Sequence, residues 1–191
     1  KNLINPIRIQ LRVIFALLLR ETRTTFGNSL LGYLWAILTP ALGVAALVLI
    51  FSFAGRQPPF GQSLALFFAT GYLTFEYYNK LNLSLMTVLD ANRALLYYPI
   101  VSQLLTIFAR FLLITVTYII VNFLFFSALI LLGMASLPDN IIYLTMAYFM
   151  IGFFGLGIGT LNLSIFTLFP SWKNIVHILN RPLLFISGIF F

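Results

Sequence analysis

The sequence has no cysteine. A disulfide framework and a thiolate metal site are therefore excluded. Charge is scarce as well. Only 8% of the 191 residues are Asp, Glu, Lys or Arg, whereas a soluble domain carries about 25%. The acids are Glu21, Glu76, Asp90 and Asp139, and His177 is the one histidine. No two acids are near in sequence and no metal-ligand spacing occurs. A membrane enzyme, the rival reading of another class, is disfavoured because so few ionisable groups cannot assemble an acid–base pair. A P-loop needs G-x-x-x-x-G-K-[ST]. The lysines are Lys1, Lys80 and Lys173, and none follows a glycine. The chain therefore has no nucleotide site of that kind, and no cofactor is expected on it.

What remains is apolar. Hydrophobic residues make up 61% of the chain and mean hydropathy is +1.04. Such a composition cannot keep a water-facing surface, so lipid must be the main solvent. The net charge is +7. In a soluble protein that would raise nucleic acid as a partner, but here the basic residues gather between apolar runs, which points to a membrane surface instead.

The stretch RETRTTFGNSLLGYLWAILTP (20–40) organises the rest. Charged Arg20, Glu21 and Arg23 are followed by Gly27, Gly32, Tyr33 and Trp35, and then by lipid-soluble sequence. Trp and Tyr at the edge of an apolar segment are interface anchors. Before this stretch, Arg12, Arg23 and Arg20 fall about 40°, 60° and 120° from Arg8 on a helical wheel. With the arginines on one arc and apolar side chains opposite, residues 7–26 are expected to form an amphipathic helix lying in the interface. It is expected to bend near Gly27.

Apolar runs at about 33–53, 63–79, 101–132 and 141–169 predict four spans. Turns at 54–62 and 133–140 separate the first from the second and the third from the fourth. Pro40 is placed near the start of the first span, where a missing N–H costs least. Gly155 and Gly159 form a small-xxx-small pair that lets helices approach. Ser171 is expected to cap a short segment, and Pro182 to begin a new helix. The last nine residues, LLFISGIFF, rise only about 14 Å, so the chain is expected to end within a fifth span. Basic residues, Lys1 among them, place the N-terminus in the cytoplasm and leave Arg56 outside.

Between the second and third spans, residues 84–99 are expected to form a cytoplasmic coupling loop. Leu85, Leu89, Asn92 and Leu96 share a helical face, with Asp90 and Arg93 off it. The sequence ANRALLYYP (91–99) and the LGYLW stretch (31–35) together resemble the type-2 ABC exporter permeases, and most closely their capsular-polysaccharide export branch. The resemblance covers the whole chain. It implies an all-α polytopic helical bundle with six spans, of which 1–191 would be a single transmembrane domain incomplete at its C-terminus. It implies two copies forming a pore in the bacterial inner membrane. ABC ATPase subunits carrying ATP and Mg would supply the energy. The cargo would be lipid-linked capsular or surface polysaccharide, with O-antigen, teichoic acid or another bulky amphiphile as the alternative.

Within that frame Asp90, Asn92, Arg93, Glu21 and Arg23 are candidates for coupling to the ATPase. Gly27, Gly32, Tyr33 and Trp35 are candidates for the pore entrance. Tyr72, Phe75, Glu76 and Tyr77 could line a polymer path, although an interfacial aromatic belt explains the same side chains. Glu76 could pair with Lys80 at i,i+4 or face a polar pathway. Arg110 could snorkel to the interface. Leu105 and Ile114 stand where the family pattern leads us to expect acids, which argues against an intrachain salt bridge for Arg110. Asn82-Leu83-Ser84 and Asn162-Leu163-Ser164 match glycosylation sequons and are read as chance.

Overall fold

The structure, a computed structural model, describes residues 4–27, 30–59, 61 and 63–189. Lys1, and Phe60 and Gln62 of the expected first turn, lie outside them. The described residues are helical, with no strand among them.

Helix α1 (Ile4–Phe26) presents Leu17 and Glu21, one turn apart, to the interior, while Arg8, Arg12 and Arg23 stay exposed. It packs chiefly on α5. Gly27 ends it with φ +71°, and its N–H bonds to the Arg23 carbonyl at 2.9 Å. A left-handed glycine just past the last turn is a common helix stop, because a side chain there is strained. The chain then turns into α2 (Leu30–Phe53). A Cβ at Gly32 would collide with the carbonyl of Phe26, so only glycine fits the inside of this corner. The Phe26 and Tyr33 rings stack across it at 4.9 Å. Pro40 corrects one expectation. It lies well inside α2 rather than near its start, and the preceding Thr39 turns its hydroxyl onto the Trp35 carbonyl at 2.8 Å.

Helix α3 (Leu64–Met86) is the centre of the bundle. It runs seven residues beyond the expected end at Asn79, packs most extensively on α6, and also meets α2 and α5. Its polar second half, with Glu76, Asn79, Lys80, Asn82 and Ser84, made the second span look shorter than it is. Three other helices are long and apolar enough to cross a membrane, at Leu31–Phe53, Gln103–Leu131 and Ile141–Leu168. At about 1.5 Å per residue α3 is also long enough to span.

Beyond α3 the expected coupling loop contains a single helical turn, α4 (Val88–Ala91), followed by turns. Helix α5 (Gln103–Leu131) starts where the Ser102 hydroxyl accepts from the Leu105 N–H at 3.3 Å. Helix α6 (Ile141–Leu168) starts where Asn140 accepts from Ile142 and Tyr143. These side chains satisfy donors that a helix start otherwise leaves open. At the end of the bundle opposite α4, the Ser63 hydroxyl donates to the Met134 carbonyl at 2.7 Å and ties the two turns together.

The α3–α6 contact is close because of glycine. A Cβ on Gly152, Gly155 or Gly159 would lie 2.6 Å from the Tyr77 hydroxyl, 2.8 Å from Leu81 or 2.9 Å from Leu85. One stripe of α6 thus receives three successive turns of α3. Helix α7 (Trp172–Ile186) corrects two expectations. It is continuous through Pro182, whose missing N–H leaves free the carbonyl of Ile178, a residue on an exposed face. Ser171 stands at the N-cap position but makes no side-chain capping bond.

Candidate functional site

At one end of the bundle α1, α3, α4 and α5 meet in a polar junction. Leu17 faces inward on α1, so Glu21 one turn later does too, and it is only 2% exposed. A carboxylate taken out of water needs partners, and each of its oxygens has one. Oε1 accepts from Asn92 Nδ2 at 2.6 Å, and Oε2 pairs with Arg110 Nη2 at 2.6 Å. Asn92, 1% exposed, spends its remaining capacity on the same junction. Its Oδ1 accepts from Arg20 Nη1 at 2.5 Å and its Nδ2 also donates to the Val88 carbonyl at 3.0 Å. Arg110 Nη1 donates to Ser84 Oγ at 3.1 Å. The chain Arg20–Asn92–Glu21–Arg110–Ser84 therefore binds four helices through charge-assisted hydrogen bonds, the stronger kind, and through one ion pair between Glu21 and Arg110.

This overturns the expectation for Arg110. It does have an intrachain salt bridge, but the acid comes from α1 rather than from its own helix or its sequence neighbours. The leucine at 105 and isoleucine at 114 do not prevent this, because the carboxylate reaches Arg110 from across the bundle.

The remaining candidates separate by exposure. Asp90 and Arg93 are exposed on the turn around α4, and Arg23 is exposed on α1. Glu21 and Asn92 are buried, so they cannot themselves touch a docked partner. They fix the turn that carries Asp90 and Arg93. At the α1–α2 corner, Tyr33 is 42% and Trp35 58% exposed.

The four polymer-path residues do not form one surface. Tyr77 is fully buried, stacked on Tyr148 at 4.7 Å and hydrogen-bonded to Thr115 at 2.9 Å. It is a core residue, which removes it from any path open in this conformation. Tyr72 leans on Gly43, where a Cβ would meet its ring. Phe75 and Glu76 border a cleft between α3 and α7. Glu76 has Lys80, Asn79 and Tyr72 about it.

A second polar tie was missed in the sequence. Asn162 Nδ2 donates to Asn82 Oδ1 at 2.7 Å, and Trp172 Nε1 donates to Asn162 Oδ1 at 2.8 Å. The two asparagines of the chance sequons are thus each other's partners across α3 and α6. An asparagine inside an apolar helix was the available signal, since such a group must find a partner.

Fold and site together define an all-helical integral membrane protein with one end stitched by buried polar contacts. Its relatives give the family. The chain is 33% identical over 184 residues to the capsule polysaccharide export inner-membrane protein BexB of Haemophilus influenzae, covering 96% of this chain and 69% of that protein. It is 32% identical over 183 residues to the polysialic acid transport protein KpsM of Escherichia coli, covering 96% of this chain and 71% of that protein. It is 29% identical over 190 residues to CtrC of Neisseria meningitidis, another capsule polysaccharide export inner-membrane protein, covering all of this chain and 72% of that protein. No family model matches. The chain belongs to the family of capsule polysaccharide export inner-membrane proteins, as its motifs led us to expect.

Proposed function

We propose that this chain is the membrane-spanning permease subunit of an ABC transporter that exports lipid-linked capsular or related surface polysaccharide from cytoplasm to periplasm. Family membership supports the transport role. The chain pairs with a second copy of itself to form the pore. Separate ATPase subunits, holding ATP and Mg, supply the energy. The N-terminus is cytoplasmic, because that orientation puts Arg20, Arg23, Lys80, Arg93, Lys173 and Arg181 on the inner side.

The turn after α4 is where the ATPase pushes. One observation carries this. Asp90 and Arg93 are exposed, while Asn92 between them is 1% exposed and bonded to both Arg20 and Glu21 of α1. A charged edge in water contributes little by itself, but against a complementary cleft it fixes register. Backed by a buried anchor, it can transmit a displacement. The α1–α2 corner borders the polymer entrance. Trp35→Ala is the informative substitution there, since any side chain at Gly32 would disturb the corner itself.

Arg93→Glu tests the coupling role. The variant is expected to insert and fold normally while ATPase association and export fall together. If Arg93→Glu and Arg93→Ala both export normally, and a comparable change in residues 171–181 abolishes export, the coupling element lies in that later segment.

A further inference from the structure

The polar junction opens onto a cleft of about 510 Å³ that also reaches α7. Arg20, Lys80, Arg110, Lys173 and His177 line it, against the single carboxylate of Glu21. Arg110 already neutralises that carboxylate at 2.6 Å. The charges of Arg20 and Lys173 are left in excess, and Lys80 is shared between this cleft and Glu76. Among the described residues the side chains of Lys173 and His177 make no hydrogen bond or ion pair, and Arg110 Nε is buried without a hydrogen-bond partner. Like charges held together at a low-dielectric wall repel one another and focus a positive field into the space between them. A multiply charged anion relieves that repulsion.

A second cleft of about 450 Å³ continues from the first, because Leu83 and His177 line both. Its chemistry differs. The exposed Phe185 and the largely buried Phe75 line it with aromatic rings. Between them Asn180 Nδ2 donates to Asn79 Oδ1 at 2.8 Å. That bond leaves the Asn180 carbonyl as an acceptor, while the Asn79 amide also hydrogen-bonds Glu76, with Arg181 alongside. Amide donors and acceptors between flat apolar faces suit a sugar ring, whose hydroxyls need both and whose C–H faces stack on aromatics.

We propose that this continuous cleft between α3 and α7 binds a sugar phosphate, with the phosphate against Lys80, Lys173 and Arg20 and the sugar beside Phe185, Asn79 and Asn180. The ligand's identity as the anionic end of an exported glycan rests on the export reading above. The binding site itself does not. A phospholipid headgroup offers the same phosphate without the sugar ring, so the two sources can be told apart.

The test is calorimetric titration of the full-length permease in phosphatidylcholine nanodiscs, without ATPase or ATP. Three probes are used, glucose 1-phosphate, inorganic phosphate and glucose. Glucose 1-phosphate is expected to bind saturably and more tightly than inorganic phosphate. Lys80→Gln and Lys173→Gln, both at exposed positions, are each expected to weaken it about tenfold, the loss of one charge-assisted hydrogen bond. Phe185→Ala should remove the preference for the sugar phosphate while leaving inorganic phosphate binding intact. Absence of saturable binding by either phosphate, or unchanged affinity in the Lys80→Gln/Lys173→Gln double variant, overturns the site. If phosphatidylglycerol discs abolish binding and glucose 1-phosphate never exceeds inorganic phosphate, the cleft is a lipid headgroup site and the sugar assignment is wrong. Because no step requires transport, failure here leaves the export reading untouched. Loss of export with binding retained would have the opposite meaning.

Discussion

Removing Glu21 should be among the most damaging single changes in this protein, although it sits on the amphipathic N-terminal helix where a charge is expected to be harmless. The side chains of Arg110 and Glu21 are 14% and 3% exposed. Glu21→Leu would leave the Arg110 guanidinium with Ser84 alone, and Asn92 Nδ2 with only the Val88 carbonyl. Breaking a buried pair from one side costs about 3–5 kcal/mol, because the surviving charge is uncompensated. Arg110 borders an open cleft, so water screens it and the lower end, about 3 kcal/mol, applies to Glu21→Leu. Arg110→Met strands the more deeply buried carboxylate and should cost about 4–5 kcal/mol.

The double variant Glu21→Leu/Arg110→Met carries no stranded charge. Apolar replacement of a whole buried pair is often neutral or stabilising, so it should recover to within about 1 kcal/mol of the parent. The three unfolding free energies come from SDS titration in mixed micelles, and their cycle gives the coupling directly. Single variants each within about 0.5 kcal/mol of the parent would refute the reasoning. So would single effects that simply add, since that would mean the two side chains act independently.

The glycine stripe of α6 gives another expectation. Gly155→Leu must displace Leu81, whose Cδ1 would lie 2.8 Å from the new Cβ, and should lower stability by about 1–3 kcal/mol. Gly157→Leu, facing open space, should match the parent in the same SDS titration. The amide tie behaves differently. Asn82→Leu orphans Asn162 Nδ2 and should cost about 1–3 kcal/mol. Adding Asn162→Leu also releases the Trp172 indole, so Trp emission should shift or broaden in that double variant and not in Asn82→Leu alone.

How much of this was legible follows from what each signal encodes. The bend near Gly27 and the turns at 54–62 and 133–140 were readable, because glycine and proline act within a few residues, whereas the cap expected at Ser171 does not form. The exposed edge at Asp90 and Arg93 was readable because periodicity separates faces of one helix. The partner of Arg110 was not, because Glu21 and Arg110 lie on helices distant in sequence and periodicity says nothing about which faces meet. Arg110 has no acid near it along the chain, whereas the bundle supplies one from across it. The same blindness hid the Asn82–Asn162 bond, 80 residues apart. The extent of α3 was misread for a related reason. Its polar second half faces neighbours that satisfy it, and a hydropathy argument counts those residues as though lipid surrounded them.

The junction raises one question that stability alone does not answer. If leucine and methionine could hold α1 against α5 equally well, the ion pair has to do something that apolar packing does not. Apolar side chains tolerate sliding, whereas two carboxylate oxygens aimed separately at Asn92 and Arg110 allow one register. Such specificity is one attested use of buried polar groups. Here it would make α1, the α4 turn and the start of α5 move as one body when the turn is pushed. The double variant Glu21→Leu/Arg110→Met separates the two roles, since it should fold and still bind the ATPase through Asp90 and Arg93. The expected outcome is ATP hydrolysis at parental levels with export reduced about tenfold or more, the equivalent of about 1.4 kcal/mol of lost coupling. Export at parental levels in that folded variant would show that the pair merely holds the helices together, and that transmission runs through the apolar contacts of α4 with α5.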